Sequence, residues 1–129
     1  MKTNESSCDV LSQVLRALYT LRTPFIPYET DLHQRVATAL AQEELSFVHE
    51  KVLGKGRRID FWINGIGIEI KKGKPQPKAL LCQLTKYATH DDIYALIVLA
   101  ERSVTLPSTI AGKPVYLLTL QSLWGVALP

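Results

Sequence analysis

A chain of 129 residues is long enough for one domain with its own core. At 47% hydrophobic and 21% charged residues it reads as an ordinary globular protein, and no apolar run reaches transmembrane length. Cys8 and Cys82 lack the spacing of a metal site or a disulfide framework; with a polar start that has no apolar h-region, this leads to the expectation of a reducing, cytoplasmic setting with no membrane partner.

The net charge of +3 is unevenly spread. Between Lys51 and Lys78 stand eight Lys and Arg against two acids, a local charge of +6, whereas the rest of the chain has seven basic and ten acidic residues, or −3. A basic concentration of this kind is the footprint expected where a polyanion binds, although Lys-rich loops produce the same count without a partner.

In chain order, Ser6-Ser-Cys-Asp9 offers a helix start, and Leu11, Val14, Leu15 and Leu18 recur at helical spacing, predicting an amphipathic helix over about 7–22. It carries no evident chemistry and is expected to cover a sheet face or form a dimer contact. Thr23-Pro24 ends it, and residues 24–27 form a short rigid linker. A second helix is predicted over about 29–43, with the stripe Leu32, Val36, Ala39 and Leu40; Glu29 and His33 fall on that stripe, and Asp31 points off it. Glu29 reads as a first-turn acid facing the helix dipole, and His33 as a partly buried helix residue. A strand over about 45–53, bearing His49 and Glu50, turns at Gly54-Lys-Gly56.

The central feature is Asn64-Gly65 between two β-rich runs, Ile59–Ile63 and Ile66–Lys71. A type I′ turn needs positive φ at both central residues, which Asn-Gly supplies. A two-residue turn sets Ile63 opposite Ile66, Trp62 opposite Gly67, Phe61 opposite Ile68, and Asp60 opposite Glu69. The two carboxylates then stand roughly 5 Å apart at Cβ, with Lys71 on the same face. Ile59, Phe61, Ile63, Ile66, Ile68 and Ile70 line the other face, a core side. Opposed like charges destabilise a hairpin, and a divalent cation with oxygen ligands would compensate them; three chance charges on a solvated face are the alternative. Because the ligands are hard oxygens, Mg²⁺ is expected over Zn²⁺, with Mn²⁺ as a substitute.

Beyond the hairpin, a helix is predicted over about 78–89, with Gln83 and Tyr87 on one face. Ile93–Ala100 is apolar almost throughout, as in a central strand, and the intervening helix makes it parallel to one already in the sheet. Residues 101–113 read as a loop, Val115–Leu118 as a last strand, and Thr119 as the cap of a short helix through Trp124. There is no phosphate-binding G-x-x-x-x-G-K-[ST] loop, G-x-S-x-G elbow or Cys/His nucleophile pattern.

Asp60 followed by Glu69-Ile70-Lys71 on the returning strand resembles the active-site core of the PD-(D/E)XK nuclease superfamily, with Ile59 where a proline usually precedes the Asp. Gln83-x-x-x-Tyr87 resembles the Q-x-x-x-Y element that follows E-x-K in its exonuclease-type and resolvase-like branches, where it supports the site and the DNA phosphates. The predicted order over residues 28–100 is similar to the superfamily's α-β-β-β-α-β core. The resemblance implies an α/β, restriction-endonuclease-like fold with a mixed sheet between helices. The single domain would comprise an N-terminal helix and linker (1–27), a catalytic core (28–100) and a C-terminal strand and helix (101–129).

It also implies a Mg²⁺-dependent deoxyribonuclease, an endonuclease or structure-selective nuclease. Asp60, Glu69 and the Ile70 carbonyl would hold the metal, with a third acid from Glu29 on the preceding helix or Glu50 on the neighbouring strand. Lys71 would orient water and stabilise charge, and Gln83 would support the site. Arg57, Arg58, Lys72, Lys74 and Tyr87 would contact phosphates of DNA, with RNA an open alternative. A homodimer would suit paired cuts. The rival readings are a non-catalytic nucleic-acid-binding module and a partner-binding subunit on the same fold.

Overall fold

The computed structural model describes residues 2–21 and 28–126. The chain runs α1 (Lys2–Leu18), α2 (Glu29–Gln42), β1 (Val48–Gly54), β2 (Arg57–Ile63), β3 (Ile66–Lys71), α3 (Pro77–Ala88), β4 (Ala95–Ala100), β5 (Thr109–Ile110), β6 (Lys113–Thr119) and α4 (Leu120–Val126). The strands form one six-stranded mixed sheet in the order β1-β2-β3-β4-β6-β5. The first three make an antiparallel meander, and β4 lies parallel to both β3 and β6. Every residue of β4 is buried, as its unbroken apolar run requires.

Two apolar layers sandwich the sheet. On one face Phe61, Ile63, Ile66, Ile68 and Ile70 pack with Val14 and Leu18 of α1, Leu32, Val36 and Leu40 of α2, and Leu123 of α4. On the other, Leu80, Leu84 and Tyr87 of α3 pack on Leu96 and Val98. The fold is therefore α/β with helices on both faces, and α1 covers the sheet. Among the described residues, no helix is long and apolar enough to cross a membrane.

Several boundaries differ from expectation, each for a local reason. Helix α1 begins at Lys2, so Ser6-Ser-Cys-Asp9 lies inside it; residues 2–9 hold no Gly or Pro to stop it. The proline linker at 24–27 lies outside the described residues. Strand β1 starts at Val48 instead of Leu45 because α2 ends in a Schellman closure: Glu44 has φ 60°, its N–H donates to Ala41 O, and Leu45 N–H donates to Leu40 O. Ile93 and Tyr94 precede β4 because their N–H groups serve a turn and the hairpin, donating to His90 O and Gly65 O. Strand β5 falls in the stretch expected to be loop; it pairs with β6 across Ala111 and Gly112, both with positive φ.

The central turn is as expected, with φ 50° at Asn64 and 96° at Gly65, and the register follows for Ile63–Ile66, Trp62–Gly67 and Phe61–Ile68. It stops there. Asp60 is not laddered to Glu69: its Oδ2 accepts the Ile70 N–H at 2.7 Å, a side chain taking the place of a backbone carbonyl. Ile59 correspondingly leaves the layer of Phe61 and joins that of α3. Gly67 makes room for it, since a Cβ there would stand 2.5 Å from Ile59 Cδ1. The expectation that all six apolar hairpin residues share one face thus fails at Ile59.

Candidate active site

Where the ladder splits, the Asp60 side chain turns into the gap between β2 and β3, its Oδ2 on the Ile70 N–H, and stays within electrostatic reach of Glu69. Alternation along β3 turns Glu69 and Lys71 toward α3, away from Ile68 and Ile70. Asp60 lines a cavity of about 740 Å³ on the α2 side, together with Glu29, Asp31, His33, His49 and Glu50.

Glu69 is 4% exposed, the most consequential burial in the molecule because it is a carboxylate among apolar residues. Its partners converge on one oxygen. Gln83 Nε2 donates to Oε2 at 3.0 Å, and Lys71 Nζ lies 3.3 Å from the same atom. Oε1 has no hydrogen-bond partner. Burial first, and the Asp60 carboxylate second, push the Glu69 carboxyl up to about 7, against the pull of Lys71. Burial also raises Asp60, opposed chiefly by the Ile70 N–H and His33.

Gln83 and Tyr87 stand four residues apart on α3 and act together, as expected. Gln83 Nε2 also donates to the Tyr87 hydroxyl at 3.0 Å, and that hydroxyl donates to Arg58 O at 2.8 Å. Tyr87 is 2% exposed, and burial holds its hydroxyl well above the usual range. Its hydroxyl is engaged within the protein and not on the surface, so Tyr87 positions Gln83 and β2, and the expected phosphate contact is not one this hydroxyl is placed to make.

The basic candidates divide. Arg58 Nη1 lies 3.4 Å from Glu50, and Lys72 Nζ 3.6 Å from Glu101. Arg57 and Lys74 are exposed. Glu50, between the pairs His49–Phe61 and Lys51–Ile59 of β1 and β2, has φ 59°, a left-handed backbone unusual for a non-glycine residue and strained inside a strand.

The residue that sequence reasoning set aside is His33. It is half-buried, its Nε2 lies 3.5 Å from Glu29 Oε2 and 3.9 Å from Asp60 Oδ1, and its Nδ1 lies 2.9 Å from His49 Nε2. His49 in turn stacks on Phe61 with ring centroids 4.6 Å apart. The signal for His33 was its place on the apolar stripe beside Glu29; that for His49 was its register opposite Phe61.

The donor types suit a hard divalent cation: Glu69 Oε1 has no hydrogen-bond partner, Asp60 Oδ1 faces His33 Nε2 at 3.9 Å, and the Ile70 backbone carbonyl lies between Glu69 and Lys71 in the chain. The unpartnered buried oxygen is what such a cation would satisfy. As the side chains stand, no group of three His, Cys, Asp or Glu among the described residues closes on a common point. Glu29, exposed at the rim, and His33, behind Asp60, are the side chains placed to complete the set; Glu50 is held by Arg58.

Comparison with known proteins adds no relative: no protein-family model, curated protein or solved structure matches the chain.

Proposed function

We propose that the chain is a metal-dependent nuclease of the PD-(D/E)XK type that hydrolyses phosphodiester bonds in DNA. The observation that carries this reading is Glu69: a buried carboxylate with one oxygen unpartnered, beside Asp60 and an ammonium, at the end of a Gln83–Tyr87 relay. A buried carboxylate oxygen with no protein partner is uncommon, and a bound cation would account for it. The element order α2-β1-β2-β3-α3-β4 supports the restriction-endonuclease-like arrangement, and the six-stranded sheet accommodates it.

In this reading Asp60, Glu69 and the Ile70 carbonyl hold Mg²⁺ or Mn²⁺, with His33 or Glu29 as a further ligand. When bound, the cation supplies charge neutralisation at the phosphate and acidifies water. The chain's own residues do the rest. The Lys71 ammonium, 3.3 Å from Glu69, faces the charge that develops on the phosphoryl oxygens. Gln83 fixes the Glu69 side chain through Oε2 and leaves Oε1 for the metal. The Ile70 N–H fixes Asp60 through Oδ2 and leaves Oδ1.

The test is cleavage of a labelled panel of linear duplex, nicked duplex, four-way junction and single strand with Mg²⁺ or Mn²⁺. Cutting that disappears in Asp60→Ala, Glu69→Ala and Lys71→Ala supports the proposal; normal cutting by Asp60→Ala refutes it. A second reading, a non-catalytic nucleic-acid-binding module, rests on the concentration of basic residues between Lys51 and Lys78, which needs no metal. It expects binding that is unaffected by Mg²⁺ and by Glu69→Ala.

A further inference from the structure

The two sides of the hairpin have opposite electrical character. Among the described residues the cavity toward α2 is lined by four carboxylates, Glu29, Asp31, Glu50 and Asp60, and by no Lys or Arg, although Arg58 reaches Glu50 from outside it at 3.4 Å. A groove of about 320 Å³ on the other side, between α3 and the turn joining β1 to β2, is lined by Arg57, Lys86, Gln83, Tyr87, Cys82 and Gly56, with no carboxylate among the described residues. Arg57 and Lys86 are exposed, and neither forms an ion pair among the described residues. Helix α3 itself carries Lys78 and Lys86 and no acid.

Gln83 lines the groove and donates to Glu69 at 3.0 Å, so one side chain separates the groove from that carboxylate. At Gly56 the rim is open, since a Cβ there would meet no atom within 4 Å. We infer that this groove is the path of a single nucleic-acid strand, held by its phosphates between Arg57 and Lys86 and led past Gln83 to Glu69 and Lys71. The inference rests on the nuclease reading for the chemistry at its inner end, and on charge and shape alone for the binding.

A single strand is specified by the asymmetry. A duplex carries phosphates along both strands, about one charge per 1.7 Å of axis. Straddling the hairpin, it would set one strand on the cationic groove and the other against the four carboxylates. A bound cation would offset part of that charge at Asp60, and Arg58 offsets Glu50, but Asp31 and the exposed Glu29 would still meet the second strand. A flexible strand occupies the groove and avoids the acid-lined side.

The experiment is fluorescence anisotropy of a labelled 12-nucleotide oligo-dT and of a duplex of equal length, in EDTA so that no cleavage intervenes. The full chain is compared with R57E/K86E and with R16E/R35E, which changes net charge equally on α1 and α2 across the sheet. The expected result is tighter binding of the single strand than of the duplex, a loss of at least 10-fold in R57E/K86E, and less than 3-fold in the control. The salt dependence should also flatten by about 1.4 in logarithmic slope, at about 0.7 per phosphate contact on a single strand. If R57E/K86E melts at a lower temperature, R57Q/K86Q replaces it, with a loss of at least 3-fold expected.

Equal losses in R57E/K86E and the control, or tighter binding of the duplex, overturn the inference. Cleavage in Mg²⁺ separates it from the nuclease reading. Single-strand cutting with an unchanged KM in R57E/K86E overturns the strand path and leaves the nuclease intact. Groove-dependent binding with no cutting in any metal upholds the path and overturns the nuclease.

Discussion

Glu69→Gln is the sharpest perturbation the site offers, because it removes a charge and keeps the shape. In the folded chain the carboxyl is pushed from an ordinary 4.5 up to about 7. Between those values the native state keeps a proton that the unfolded chain has released, so stability is lost as pH rises through this window and is level above it. At about 1.4 kcal/mol for each pH unit, the loss is about 3 kcal/mol. The side chain is 4% exposed, so solvent screening takes little from that figure. The glutamine variant has no such loss. It should match the natural chain near pH 4.5 and exceed it by about 3 kcal/mol at pH 8, on the order of 10 °C in Tm. Denaturant titration followed by circular dichroism, at pH 5 and pH 8 in EDTA, measures both proteins. Millimolar Mg²⁺ at pH 8 should then raise the natural chain and leave the variant unmoved, because only the former has an anionic Oε1 to bind it. A stability difference equal at the two pH values would refute the account of Glu69 as a buried acid held near neutrality.

Further outcomes follow from single contacts. Asp60→Ala should abolish cleavage and cost about 1–3 kcal/mol in denaturant titration, because the Ile70 N–H loses its acceptor. Gln83→Leu should lower kcat with little change in KM and cost about 1–3 kcal/mol, since it strips a donor from both Glu69 and Tyr87. His33→Ala should raise the Mn²⁺ concentration needed for half-maximal cleavage by about 10-fold or more, the usual scale for a ligand or its supporting neighbour. Gly67→Val should destabilise by about 1–3 kcal/mol in thermal melts, as the space it fills belongs to Ile59.

Much of the frame was legible because its signals are local. Asn64-Gly65 fixed a turn and three cross-strand pairs, and the apolar run through Ala100 fixed a buried strand parallel to β3. Glu69, Lys71, Gln83 and Tyr87 could be grouped because alternation and helical spacing turn them toward one another. What escaped depended on contacts distant in sequence. Asp60 breaks the ladder through a side-chain bond to Ile70, and Ile59 crosses layers because Gly67 leaves space. Neither alternation nor propensity encodes such a break. His33 was legible as a position and not as a site, since its neighbours Asp60 and His49 come from β2 and β1. The β5–β6 hairpin was hidden because Ala111 occupies a left-handed position that usually announces itself with Asn or Gly.

The bond from Ile70 N–H to Asp60 Oδ2 makes one amide a messenger for the acids around it. Its proton resonance should sit far downfield while Asp60 is ionised and shift upfield when that carboxylate is protonated. Metal titration would perturb the same resonance from the other oxygen. One cross-peak in a nitrogen-15 spectrum would therefore follow charge at the hairpin, with no substrate present and no residue replaced.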